Sequence, residues 1–388
     1  MRASVSLPPS RALVLSPIPA RALLHRTGKF SRVHPPSRIH FPHQPVETQL
    51  PPRGQAVRSV MSIRTVRGSV DEESIGFTLM HEHLFMLSVG MYERWPHLLN
   101  REAAIADVAA KVSRAKRLGV QTIVDMTTPN MGRDLSLLAE VARLTGVNIV
   151  AATGAHPHEP LPLYLKGVVG DAADGIDPDR LADLFVHDLQ VGMDGTNVKA
   201  GIIKTGSDPV VDDNNTRLLL AAARAHLRTG APISTHTHAG NQVGLQQQTV
   251  FADAGVDLRH VIIGHCGDSI DLNYLTALAD RGSFLGMDRF GYTMPGRPAL
   301  TISQRVGVVA ELCRRGYAPK MVLSSDSVSW SDVISDGYFT AHLPDWNLSY
   351  VASTVIDHLK NAGVSEDDLH RMTHVNPALV LSGGRGES

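Results

Sequence analysis

The stretch GFTLMHEH, residues 76–83, decides the fold. Its apolar run has the length and composition of a strand covered on both faces, and it ends in His81, Glu82 and His83. A doubly wound open sheet normally carries a glycine-rich phosphate turn after its first strand. Here that position reads HEHLF (81–85), which favours a closed sheet. Seven further short apolar runs follow: TIVDMT (122–127), NIVAATG (148–154), AGIIKTG (200–206), PISTHT (232–237), HVIIGHC (260–266), SFLGMD (283–288) and MVLSSD (321–326). Amphipathic stretches separate them, among them EAAIADVAAKVSRAKRLG (102–119), RDLSLLAEVARLTG (133–146) and NTRLLLAAARAHLRTG (215–230). Each of these three closes on glycine, the common helix stop. Such alternation implies a parallel sheet with right-handed crossovers. Eight strand–helix units over residues 61–388 therefore predict an α/β fold, a (β/α)8 TIM barrel.

Residues 1–60 read differently. They hold nine basic residues against the single acid Glu47, together with ten prolines. A segment of that kind cannot build a packed core and is expected to be a disordered tail. Its apolar run ALVLSPIPA is broken by Pro17 and Pro19, which makes a poor secretory core. Two origins fit: an upstream start that is not used, with Met61 opening the folded chain, or an Arg-rich transit peptide. Over all 388 residues Lys+Arg 37 balance Asp+Glu 38, so no global basic field points to nucleic acid or an anionic membrane. Cys266 and Cys313 are the only cysteines, which excludes a disulfide scaffold and a four-cysteine zinc module. No apolar run approaches the ~18 residues of a membrane span. A soluble, cytoplasmic protein is expected, and the unusual count is His 19.

Chemistry in a TIM barrel sits at the C-terminal ends of the strands. Those ends carry His81 and His83, Lys204, His236, His265 and Asp326. His81 and His83 are two apart, so on a strand both face the same side. Four imidazoles and a carboxylate meeting in one barrel mouth form a divalent-metal ligand set, suited to Zn first and also to Co, Mn or Fe. Lys204 has two readings. It snorkels out of the mouth, or it is carboxylated by carbon dioxide and becomes an anionic bridge. With Asp326, a carbamate and a bridging hydroxide, two divalent ions would leave about one net positive charge, suited to attack on an electrophilic carbonyl or phosphoryl group.

Six motifs, TLMHEHL (78–84), GIIKTG (201–206), STHTHAG (234–240), VIIGHCGDS (261–269), LGMDRFG (285–291) and MVLSSD (321–326), resemble the phosphotriesterase-like branch of the amidohydrolase superfamily. They stand in family order across about residues 63–380. The resemblance implies that His81, His83 and Asp326 bind the more buried metal, that His236 and His265 bind the more exposed one, and that carboxylated Lys204 bridges them. It assigns His238 no ligand role, leaving mouth lining or indirect support. The implied reaction is hydrolysis by a metal-bridging hydroxide, with Asp326 accepting its proton.

Departures within the family set the substrate expectation. Phosphotriesterases proper carry a relay histidine after the strand-7 aspartate, whereas this chain has Arg289, as the lactonase branch does. A lactone's alkoxide leaving group stays tethered and needs that relay less, and Arg289 is expected to hold an acyl or carboxyl oxygen. His156 stands where lactonases usually show a tyrosine; it either donates a hydrogen bond to a developing oxyanion or is a loop residue. The segment 327–346 is expected to form a substrate lid with Trp330, Tyr338 and Phe339 as lining or packing residues. Asp288 and Asp268 are expected to orient ligand histidines, with a helix-cap role open for Asp268. The expected function is lactone opening with promiscuous triester hydrolysis, on a small-molecule substrate, in a homodimer. An amidase or carboxylesterase using the same site is the near alternative, and a non-catalytic small-molecule binder the distant one.

Overall fold

The computed structural model describes residues 62–165, 175–293 and 299–383. The Pro/Arg-rich segment 1–60 lies outside them. Nine strands form one parallel sheet: β1 (Phe77–Met86), β2 (Val120–Asp125), β3 (Asn148–Gly154), β4 (Ile202–Gly206), β5 (Ile233–His236), β6 (Val261–Ile263), β7 (Phe284–Met287), β8 (Met321–Leu323) and β9 (Val328–Ser331). Their order is β8-β7-β6-β5-β4-β3-β2-β1-β9. The two edge strands are consecutive in the chain, and the residues between them bond to β1. Asp326 N donates to His81 O at 2.9 Å, and His83 N donates to Ser327 O at 2.8 Å. The sheet thus curls until one chain run joins its edges.

The ninth strand departs from the expected eight because the chain pairs with β1 again just past the last predicted run, at residues expected to open the lid. Asp326 has a left-handed φ of 52°, which interrupts the ladder between β8 and β9. Helices α1 (Arg101–Arg117), α2 (Leu135–Thr145), α3 (Pro178–Gln190) and α4 (Asp213–Thr229) follow β1 to β4 in turn. Asn100, Asp134, Asp177 and Asp212 cap their N-termini by accepting backbone N–H bonds. Helices α5 (Val243–Asp253), α6 (Leu272–Asp280) and α7 (Ile302–Arg314) follow β5 to β7.

Two apolar layers result. An inner cluster gathers Met80, Val124, Val150, Ile202, Ile262, Phe284 and Val322 from β1 to β4 and β6 to β8. A larger outer one packs strands against helices, for example Ile123, Ile149 and Ile203 with Val108, Val141 and Leu219. An antiparallel hairpin, Ser62–Thr65 with Gly68–Asp71, went unread in the sequence. Its Ile63 joins Ile75, Val380 and Leu381 in the inner cluster. They seal the floor below the strand starts, so the opposite end is the open mouth. Among the described residues no helix is long and apolar enough to cross a membrane.

Candidate functional site

Three local features aim polar side chains into the mouth. In β1 three steps from Leu79 to Glu82 face two in β2, Ile123 to Asp125. This bulge lets Met80 enter the inner cluster while the adjacent His81 also faces inward. Second, glycines end β3 and β4. A Cβ on Gly154 would sit 1.8 Å from Lys204 O, and one on Gly206 2.6 Å from the His236 backbone. Only glycine lets the strands bearing Lys204 and His236 approach so closely. Third, His265 and Asp326 are two of the four described non-glycine residues at positive φ. Such conformations cost of order 1–3 kcal/mol and persist where surroundings hold them.

The four histidines share one arrangement: one ring nitrogen is engaged outward and the other faces the centre. His81 Nδ1 lies 3.0 Å from Asp288 Oδ2, while its Nε2 lies 3.0 Å from Lys204 Nζ and 3.4 Å from Asp326 Oδ1. His83 Nδ1 meets Thr127 Oγ1 at 3.0 Å and its Nε2 meets Asp326 Oδ1 at 3.2 Å. His265 uses Nδ1 on Asp288 Oδ1 and Nε2 on His236 Nδ1, both at 3.0 Å. His236 Nε2 faces Asp208 Oδ2 at 3.3 Å. All six residues that the sequence singled out as ligands are buried, Lys204 to 1% exposure.

Burial lowers the pKa of His81 and His265, and brings His236 down to about 4. The rings are therefore neutral at ordinary pH, the form that ligates metal. Burial also brings Lys204 down to about 8, against the pull of Asp326 and Asp288. At Asp326 burial pushes upward, but His265, His81, the hydrogen-bonded His83 and Arg289 outweigh it and hold the carboxyl well below its usual range. Neutral imidazoles with inward lone pairs, beside an ionised carboxylate, fit a divalent cation. His81, His265 and Asp326 bring ligand atoms within 4.8 Å of one another.

Other expectations shift. Lys204 does not snorkel: it is enclosed. Arg289 is committed to protein carboxylates, with Nε 3.0 Å from Asp326 Oδ2 and Nη1 2.8 Å from Asp268 Oδ2. Asp268 also meets Arg305 Nη1 at 2.7 Å. Asp268 therefore braces Arg289 rather than a histidine, and α6 is capped by Asp271 instead. Asp288 does reach two histidine rings. His156 stands edge-on to His236, with ring centroids 4.9 Å apart. His238 is exposed and accepts from Asn241 N, capping a short turn. In the expected lid, Val328–Ser331 is strand β9 and carries Trp330. Phe339 is buried with Tyr292, Leu343 and Trp346, so Tyr338 alone of the three aromatic residues is exposed.

Sequence reasoning missed Glu82, treated as a spacer between two histidines. Its Oε1 accepts from Ser324 Oγ and Ser325 N, both at 2.8 Å, and its Oε2 from Ser327 N and Oγ at 2.8 and 2.6 Å. These four bonds grip the run that carries Asp326. Thr127, Asp208 and His158 also went unnoticed; a polar residue just past a strand end beside a candidate ligand was the available signal. A cavity of about 820 Å³ between β3 and α3 is lined by Thr153, Leu181 and Phe185 but by none of the candidate ligands. The chemistry lies in the mouth.

The profile of the phosphotriesterase family matches residues 61–381. A phosphotriesterase homology protein of Mycobacterium tuberculosis is 42% identical over 321 residues, covering 82% of this chain and 97% of its own. An aryldialkylphosphatase of Saccharolobus solfataricus is 35% identical over 320 residues, covering 81% and 98% respectively. The solved structure of a phosphotriesterase from Mycobacterium tuberculosis superposes with a TM-score of 0.77 at 40% identity, covering 82% of this chain and 98% of that one. The chain belongs to the phosphotriesterase family, within the amidohydrolase-like superfamily.

Proposed function

We propose that the chain is a binuclear metal-dependent hydrolase that opens lactones and cleaves organophosphate triesters more slowly. His81, His83 and Asp326 would hold one divalent ion and His236 and His265 the other. Lys204, carboxylated on Nζ, would join them: the neutral amine and carbon dioxide give a carbamate and a proton. The lowered pKa of Lys204 supports that step, because a protonated amine has no lone pair to react. When bound, the ions supply Lewis acidity that acidifies water and polarises a carbonyl or phosphoryl oxygen.

The chain's own groups do the rest. Asp326 Oδ1, set between Nε2 of His81 and Nε2 of His83, receives the proton that the attacking water loses. Arg289 Nε on Oδ2 keeps that carboxylate turned toward the centre. The neutral His156 ring at the mouth donates a hydrogen bond to the oxyanion. The observation that carries the substrate class is the double engagement of Arg289. A guanidinium held by two carboxylates cannot relay a proton to a departing alcohol. Substrates whose leaving group stays tethered are then favoured.

The test is kcat/KM on an acyl-homoserine lactone against an aryl dialkyl phosphate, with Lys204→Ala run beside both. The reading expects a lactone preference above about tenfold, roughly 1.4 kcal/mol of transition-state discrimination, and an inactive variant. Equal or better turnover of the triester would refute the substrate assignment.

A further inference from the structure

His236 differs from the other three rings in where its outward nitrogen goes. His81 and His265 share Asp288, and His83 meets Thr127, all inside the barrel wall and buried. The partner of His236 is Asp208, two residues past the end of β4 and only half-buried. The same oxygen, Asp208 Oδ2, lies 2.8 Å from His158 Nε2 on the loop after β3. The rings of His156 and His158 stand edge-on to His236, at centroid distances of 4.9 and 5.4 Å. Two loops thus meet on one imidazole.

Tautomer logic gives this contact a purpose. His236 Nδ1 points at the centre, 3.0 Å from His265 Nε2. For Nδ1 to offer a lone pair, the ring proton must sit on Nε2, and an anionic acceptor there fixes both tautomer and ring orientation. We propose that Asp208 is a positioning residue for His236. By accepting the Nε2–H it presents Nδ1 to the more exposed metal, with His158 holding the carboxylate in place. This rests on the binuclear reading above.

The test is metal affinity rather than turnover. Metal-free full-length chain is titrated with Zn²⁺ against a chromophoric chelator, resolving the dissociation constant of each equivalent, for wild type, Asp208→Ala, Asp208→Asn and His158→Ala. The proposal expects Asp208→Ala to weaken one of the two equivalents about 10- to 100-fold and leave the other unchanged. Asp208→Asn keeps an accepting oxygen and should lose less, and it carries the test if the alanine variant fails to fold. His158→Ala should shift the same equivalent in the same direction by a smaller factor. Two equivalents in wild type with both retained at full affinity in both Asp208 variants would overturn the proposal while sparing the binuclear reading. A third equivalent in wild type that Asp208→Ala and His158→Ala both abolish would also overturn it, making His158, Asp208 and His236 ligands of their own ion. A wild type that holds at most one equivalent would remove the binuclear reading and the proposal together.

Discussion

Replacing Glu82 with glutamine tests whether the spacer of HEH builds the site. The carboxyl is fully buried and accepts two backbone N–H and two hydroxyl bonds, all between 2.6 and 2.8 Å. Burial pushes its pKa up to about 7, with the four donors opposing, so at pH 8 it is ionised and satisfies all four. Glutamine keeps one oxygen and turns an NH₂ toward the other two donors. The hydroxyl there can rotate away, but the backbone N–H cannot. One buried N–H without a partner costs about 1–3 kcal/mol, and the surviving bonds lose their charge-assisted strength, of order 1 kcal/mol each. Relief from burying a charge returns part of this. The net expectation at pH 8 is a loss of about 2–4 kcal/mol for the metal-free protein. Urea unfolding measures it, as a lower midpoint with unchanged slope. Weaker metal binding should accompany it, because the gripped run carries Asp326 in its strained conformation. A loss below about 0.5 kcal/mol with unaltered metal affinity would show that Glu82 does not brace the site.

Three further outcomes follow from contacts in the mouth. In metal-free, CO₂-free buffer the wild type should gain stability as pH rises from about 8 toward 10.5, because there the unfolded chain keeps the proton that folded Lys204 has lost. Lys204→Ala should lack that rise, as urea midpoints at pH 7 and pH 10 would reveal. Arg289→Ala removes the hold on Asp326 Oδ2 and should lower kcat about 10- to 100-fold with a smaller change in KM; Arg289→Lys, which cannot bridge two carboxylates with one fork, should recover little. Gly206→Ala puts a Cβ 2.6 Å from the His236 backbone. It should cost about 1–3 kcal/mol and lower bound metal, as Tm and elemental analysis would register.

The strands were legible because Val- and Ile-rich runs such as NIVAATG and AGIIKTG have no polar face to confuse their period. The helices over 101–117, 135–145 and 213–229 were legible from amphipathic pattern and glycine stops. The hairpin at Ser62–Asp71 was not, since two four-residue strands carry too little pattern to separate from a loop. The ninth strand was hidden because the break before it rests on one backbone angle, at Asp326, and nothing in MVLSSD announces a left-handed residue. His81, His83, Lys204, His236, His265 and Asp326 stood out because polar groups end apolar runs. Their supports did not: Asp208 meets His236 across 28 residues of sequence, and Glu82 reaches Ser324 across 242. Arg289 was visible as a residue but its direction was not, since two carboxylates from different loops decide it.

On the proposed function, two metal ions on this constellation are what the hydrolysis requires. The most direct test is to strip the protein with chelator, restore Zn²⁺ or Mn²⁺ in known equivalents with bicarbonate, and follow kcat/KM on the lactone. Activity should be absent without metal and should rise until it levels off at two equivalents. Full activity in the metal-free protein, or a plateau reached at one equivalent, would rule out a two-ion centre.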